Sequence, residues 1–332
     1  MQIAVISGSP PKGEMSVTLQ YVRFLEEAFP EHTFSVVHAG RDIRSIERQE
    51  EAWEGLLATV TASDGVLWAT PPVYVMLVPA QLKRFIELVG ERNATDAFSG
   101  KYAACLTTSI RYFDHTAHAY LHGICDDLEM RYVGFCSAHM EDLRNEVFQE
   151  QLVLFFSDFL EATAERRPVQ RAFPPLPAPS SPPYARKTPP AAVDTRGKRV
   201  VILHDAEPGS GLAAMVDGLA ACYGSSARVA HIRDAGMKGA CLGCCRCALD
   251  NTCVYDDGFR AFWEEYVVPA DILVMAGTVR DRFLSAAWKQ FFDRSFFNGH
   301  IPAFKGGKQV AYLVDGPLGH LATSGRFSPA SR

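Results

Sequence analysis

The 332-residue sequence predicts an α/β protein built from two doubly wound parallel sheets in tandem. Three observations predict it. Short apolar runs such as IAVIS, DGVLWAT and KYAACLT alternate with amphipathic stretches of about ten to fifteen residues, the order of a parallel sheet covered by helices. The pattern is interrupted once, where nine of the 20 prolines fall between Pro168 and Pro190. It then restarts and repeats particular residues of its first round.

In the first round, strands are expected at Gln2–Ser7, Thr33–His38, Asp64–Thr70, Lys101–Ser109 and Met130–His139. Helices are expected at Val17–Phe29, around Glu47–Thr61, at Pro79–Val89, around Thr116–Leu128 and at Glu146–Ala164. The proline run is a semi-rigid extended linker, because proline fixes φ and lacks an amide donor. After it, KRVVILHD repeats the first strand, GLAAMVDGLAACY the first helix and ARVAHI the second strand. Asp271 in ADILVMAG answers Asp64, Lys289 answers Lys83, and Lys308 in KQVAYLV answers Lys101. This reads as an internal duplication. The domains are 1–165, a linker 166–197, and 198–332. After its fourth strand the second copy has only GPLGHLATSGRFSPASR, so it is expected to lack its last strand and helix and to leave a sheet edge open.

Composition excludes some classes. The chain is 48 % hydrophobic and 21 % charged with a net charge of −5, which gives no reason to expect nucleic acid or an anionic membrane as partner. No apolar run approaches the roughly 20 residues of a membrane span. The N-terminus enters a strand at once, without a signal-peptide pattern. A cytoplasmic location with reduced cysteines is the expectation.

Two loops of the first copy can carry chemistry. Ligands of a doubly wound sheet bind where loops leave the carboxyl ends of the strands. The loop GSPPKGEMSVT joins the first strand to a helix N-terminus, whose free amides suit a phosphate. Ser7, Ser9, Ser16 and Thr18 add hydroxyls and Lys12 a charge; the pattern is neither G-x-G-x-x-G nor a Walker motif. The stretch TPPVYVMLVPAQLK follows the third strand and offers a stiff wall with one aromatic, suited to a flat heteroaromatic ring. A plain turn and N-cap, and a tyrosine packed on its own helix, are the competing readings. Thr107, Thr108 and Ser109 end the fourth strand at the same edge.

GSP…S-x-T after the first strand, PVY after the third, and PAQLK resemble the NAD(P)H-dependent FMN reductases and iron–sulfur flavoproteins of the flavodoxin-like fold. Where family members usually carry Arg and Asn, this chain has Pro11 and Val17. The resemblance implies that Ser9, Lys12, Ser16 and Thr18 hold the FMN phosphate. It implies that Pro72, Val73 and Tyr74 line the isoalloxazine, with Thr108 at the ring or ribityl chain. The second copy has Asp205 and Glu207 where a phosphate would sit and GTVRDRFL in place of PVY, so FMN is not expected there.

Five of the nine cysteines fall within CLGCCRCALDNTC. Cys241, Cys244 and Cys247 are spaced C-x2-C-x2-C, and Cys253 follows. Three thiolates so spaced can curl around one face of a [4Fe–4S] cluster and a fourth closes it; zinc is the chemical rival. The iron–sulfur flavoproteins carry the same compact motif after the second strand. Cys245 reads as a bystander, and Cys105, Cys136 and Cys222 as core residues. Asp256 and Asp257 are expected to cap the following helix. His115, His118, His122 and Cys125 share one helix face and read as a partly buried interface stripe. Arg280, Asp281 and Arg282 read as a solvated loop.

The expected function is a redox flavoprotein that passes electrons between FMN and a [4Fe–4S] cluster. NAD(P)H or a ferredoxin-type donor, and a small-molecule or protein acceptor, would be its partners. The fused copies would act as a pseudo-dimer, itself able to form a homo-oligomer. A flavin-only NAD(P)H-dependent FMN or quinone reductase, and a non-catalytic carrier or docking module, are the alternatives.

Overall fold

Strands β1 (Gln2–Ser7), β3 (Gly65–Thr70) and β4 (Tyr102–Ser109) are buried along almost their whole length, so both faces of their sheet must be covered. The computed structural model describes residues 1–10, 16–72, 77–111, 114–177, 184, 191–298 and 307–320. With β2 (Thr33–Val37) and β5 (Arg131–His139) at the edges, the strands pair in parallel in the order β2-β1-β3-β4-β5. Among the described residues five helices connect them, α1 (Val17–Ala28), α2 (Ala39–Arg48), α3 (Glu50–Ala62), α4 (Ala80–Glu91) and α5 (His115–Asp127), and α6 (Glu146–Ala164) follows β5. On one face Val5, Leu67 and Leu106 pack with Val22 and Leu25 of α1 and Phe156 of α6. On the other, Trp68 lies 6.4 Å from Phe85 and stacks on Phe98 at 6.1 Å.

The helix expected around Glu47–Thr61 is α3, and a second helix, α2, precedes it. Gln49 is extended (φ −118°, ψ 116°) and separates α2 from α3. The missing helix, AGRDIRSIER, buries only Ala39, Gly40 and Ile46, so its apolar periodicity is too thin to read.

The chain divides into two units: Met1–Leu176 with Cys241–Cys244, and Pro177–Ala240 with Cys245–Arg332. The second contains β6 (Val200–His204), α7 (Gly211–Tyr223), β7 (Ala227–His231), α8 (Cys247–Asp250) and α9 (Phe259–Phe262). It continues with β8 (Ile272–Arg280), β9 (Phe283–Leu284), α10 (Ala286–Arg294) and β10 (Gln309–Asp315). Its parallel strands run β10-β8-β6-β7, the same order as β4-β3-β1-β2. Among the described residues no strand pairs with the outer edge of β10. Val310 and Tyr312 there are 51 % and 42 % exposed, whereas β4 is buried.

Both units close the amino ends of their strands with the same side chains. Asp64 accepts from the Gln2 amide at 2.7 Å, and Asp271 from the Arg199 amide at 2.8 Å. Lys101 Nζ donates to the Thr61 and Ser63 carbonyls, and Lys308 Nζ to those of Val268 and Ala270. Each lysine thus satisfies carbonyls left over at the end of the preceding helical segment.

The Arg280–Arg282 segment is not a solvated loop. Asp281 and Arg282 have φ of 41° and 63° in the tight turn between β8 and its antiparallel partner β9, and Arg282 is buried. No helix among the described residues is long and apolar enough to cross a membrane.

The histidine face of α5 is split. His115 is exposed, whereas His118 and Cys125 are buried. The His118 ring stacks on Phe135 at 4.1 Å, and its Nε2 shares a 2.6 Å hydrogen bond with Thr107 Oγ1. Burial pushes the imidazole down to about 4, opposed by Asp114 and aided by His115. A folded-state value below the unfolded one means that stability is present above about pH 6.5 and is lost as pH falls toward 4. The loss has an upper size of about 3 kcal/mol. Amide exchange of α5 peptides is expected to quicken between pH 6.5 and 4.5 in excess of intrinsic chemistry, and this excess should vanish in His118→Gln. An equal excess in the variant would refute the assignment.

Candidate functional site

The site is assembled at the carboxyl ends of β1, β3 and β4. The Gly8 amide donates to the Ala69 carbonyl at 2.9 Å, extending the β1–β3 ladder by one residue before the chain turns away. Ser16 has extended geometry (φ −88°, ψ 107°) and caps α1, its Oγ accepting from the Leu19 amide. The same hydroxyl donates to Ser9 Oγ at 2.8 Å. Within the first turn of α1, Thr18 Oγ1 meets Thr108 Oγ1 at 2.6 Å. Ser9, Ser16, Thr18 and Thr108 are all buried. The structure therefore brings these four residues together as two linked hydroxyl pairs. Pro72 follows β3 at the same edge. Lys12, Val73 and Tyr74 lie outside the described residues.

The surroundings suit an anion. Among the described residues no acidic side chain lies in the first turn of α1. The backbone is also packed too tightly for side chains at two points. A Cβ on Gly8 would stand 2.4 Å from Thr70 Oγ1, and one on Gly40 would stand 2.3 Å from the Gly8 carbonyl oxygen. The first turn of α2 thus seats the loop after β1. Nothing in the sequence signalled Gly40, because its contact exists only once α2 has folded against the loop.

The corresponding corner of the second unit differs in charge. Ser210 caps α7 as Ser16 caps α1, accepting from the Ala213 amide at 3.1 Å. Asp205, just after β6, accepts from Ser285 Oγ, and burial pushes its carboxyl up despite that bond. Glu207 pairs with Arg233. Carboxylates occupy the edge where the first unit presents hydroxyls.

The cysteines separate into two sets. Cys105, Cys125 and Cys136 are buried in the first unit, and burial raises their thiols, that of Cys136 to about 12. Cys222 is only half-buried, its Sγ on the Gly218 carbonyl, so it is not the core residue expected. In the loop, Cys244 and Cys245 are exposed, and Cys241, Cys247 and Cys253 are half-buried. Among the described residues no group of three or more Cys, His, Asp or Glu side chains is placed to hold a metal ion. Within the first unit, Gln81 Nε2, near the start of α4, donates to the Cys241 carbonyl at 2.9 Å. Asp257 does more than cap: its Oδ1 accepts from the Phe259 amide while both oxygens pair with buried Arg294.

Several solved structures are similar to about half of the chain. An NAD(P)H:acceptor flavoenzyme, FerB, from Paracoccus denitrificans is 20 % identical over 49 % of this chain and 98 % of its own, with a TM-score of 0.40. An oxidoreductase from Corynebacterium diphtheriae is 18 % identical over 49 % and 97 %, with a TM-score of 0.41. The general stress protein 14 of Treponema denticola, solved with FMN, is 12 % identical over 49 % and 98 %, with a TM-score of 0.36. Among curated proteins none matches the chain. A family model described as NADPH-dependent FMN reductase matches residues 1–141, the span from β1 through β5 that holds all four gathered hydroxyls. Over those residues the chain is similar to the NADPH-dependent FMN reductases, and the strand order of its sheet is flavodoxin-like.

Proposed function

We propose that the protein is an NAD(P)H-dependent flavin reductase that holds one FMN, on its first unit. The observation that carries this reading is the set of buried hydroxyls of Ser9, Ser16, Thr18 and Thr108 around the N-terminus of α1, with no carboxylate in that turn. Each hydroxyl is at present satisfied by its neighbour and can rotate to donate to phosphate or ribityl oxygens. The α1 amides would face the phosphate, Lys12 would add charge, and Pro72, Val73 and Tyr74 would flank the ring. Bound FMN supplies two-electron acceptance from a nicotinamide and release in one- or two-electron steps. Asp205 and Glu207 argue that the second unit takes none.

The paired strand orders and the matching Asp64/Asp271 and Lys101/Lys308 locks favour descent of both units from one duplicated ancestor. A second reading adds a [4Fe–4S] cluster on Cys241, Cys244, Cys247 and Cys253, and rests on their spacing alone.

Anaerobic purification followed by flavin, iron and sulfide analysis tests both readings. One FMN per chain and flavin-dependent NAD(P)H oxidation are expected; a preparation that neither retains nor takes up FMN would overturn the main reading. Iron and sulfide at four atoms of each per chain, lost in Cys244→Ala, would support the second. Ser16→Ala should weaken FMN binding by about tenfold or more, the size of one hydrogen bond to a charged group. Ser210→Ala, which removes only the α7 cap, should leave FMN affinity unchanged by titration. Gly40→Ala should destabilise the first unit by about 1–3 kcal/mol through overpacking and lower FMN affinity as well, measured by urea unfolding and flavin fluorescence.

A further inference from the structure

The base of the cysteine loop is held firmly, and by something other than metal. Arg294, the last residue of α10, has a side chain only 1 % exposed. Its two terminal nitrogens pair with both oxygens of Asp257 at 2.9 Å, the forked geometry that only guanidinium provides. The same Nη1 donates to the Gly239 carbonyl at 2.8 Å. Its guanidinium carbon lies 4.4 Å from the Tyr255 ring centroid and 5.2 Å from that of Phe259. Cys253 lies within electrostatic reach of the same guanidinium. One buried cation therefore touches the chain just before the cysteines, at Gly239, and just after them, at Tyr255 and Asp257.

The two strands of this neck are tied further. Asp257 Oδ2 accepts from the Lys238 amide at 2.9 Å, and Lys238 Nζ donates to the Asp256 carbonyl at 2.6 Å. Gly236 (φ +58°) lies against Gly258, and a Cβ on Gly258 would stand 3.1 Å from the Ala235 carbonyl oxygen. Small residues on both sides let the backbones approach. The buried charge of Arg294 is matched by Asp257, itself 2 % exposed, so removing either leaves the other uncompensated.

We propose that Arg294 is the positioning residue of the cysteine loop: it closes the neck between residues 236–239 and 255–259 and seats Cys253, with no metal needed to keep the loop's ends together. A loop closed in advance has already lost much of the entropy that ligation would otherwise cost. Its use for a thiophilic metal or cluster rests on the second reading above; the closure itself does not.

The test uses the full chain, reduced and treated with chelator. Hydrogen exchange should show the Lys238 and Phe259 amides protected without metal, still protected when all four spaced cysteines are changed to serine, and unprotected in Arg294→Met. Arg294→Lys, which keeps the charge and loses the fork, should fall between and guards against simple misfolding of the methionine variant. Retained FMN in each variant shows that the first unit is intact. Cd²⁺ titration, followed by thiolate-to-metal absorbance, should show affinity lowered by about tenfold or more in Arg294→Met and partly recovered in Arg294→Lys, the scale of outer-shell effects on metal sites. Protection that disappears on chelation, or that survives Arg294→Met, overturns the closure. Equal Cd²⁺ affinity in wild type and Arg294→Met overturns the seating of Cys253. Wild-type protein that takes up no Cd²⁺ sinks the metal reading of the loop together with that seating, while exchange still decides the neck.

Discussion

Parallel strands cannot be joined by tight turns, and this constraint organises both units. Each strand must be followed by a crossover that returns to the starting end, so every loop leaving a carboxyl end lies on the same edge of the sheet. Because the crossovers are helical, both faces of the sheet are covered and its strands become apolar throughout, as β1 and β3 are. Residues 90 apart in sequence, Thr18 and Thr108, then share a hydrogen bond. The opposite edge is closed by Asp64 with Lys101, and by Asp271 with Lys308.

On this common frame the units differ mainly in electrostatics. Both start their first helix with a capping serine, so the helix end is equally well formed in each. What differs is the charge placed beside it. Around Ser16 the neighbours are hydroxyls, which can donate to an anion at little cost. Beyond β6 the neighbours are Asp205 and Glu207, and a phosphate would meet like charge in a partly desolvated corner. The same backbone plan thus presents hydroxyls at this corner in one unit and carboxylates in the other.

The second unit also shows how a long polar insertion is kept in order. A loop of this length has few apolar side chains to bury and would cost conformational entropy to fix. The buried Arg294–Asp257 pair fixes its base instead. Such a pair contributes little net stability relative to an apolar replacement, but it specifies one register, because a fork fits one carboxylate in one orientation.

Much of this was legible from sequence. Strand and helix order followed from apolar runs and periodicity; α6 was placed at Glu146–Ala164, and the two-unit layout followed from the prolines and the repeated Asp and Lys positions. The hydroxyls of the first loop could be named because a cap and a phosphate loop use the same short residues. Only the tertiary structure decided the rest. Helix α2 was hidden because its burial comes from packing and not from its own pattern. Arg282 read as solvated, yet a two-residue turn places it inside. Gly40 matters because a Cβ there would stand 2.3 Å from the carbonyl oxygen of Gly8, far away in sequence. The spacing of Cys241, Cys244, Cys247 and Cys253 showed a capacity for ligation, but not that the loop's ends are held by Arg294. Local pattern records what each segment can do; which groups meet depends on long-range packing, and that is written in no single stretch of the chain.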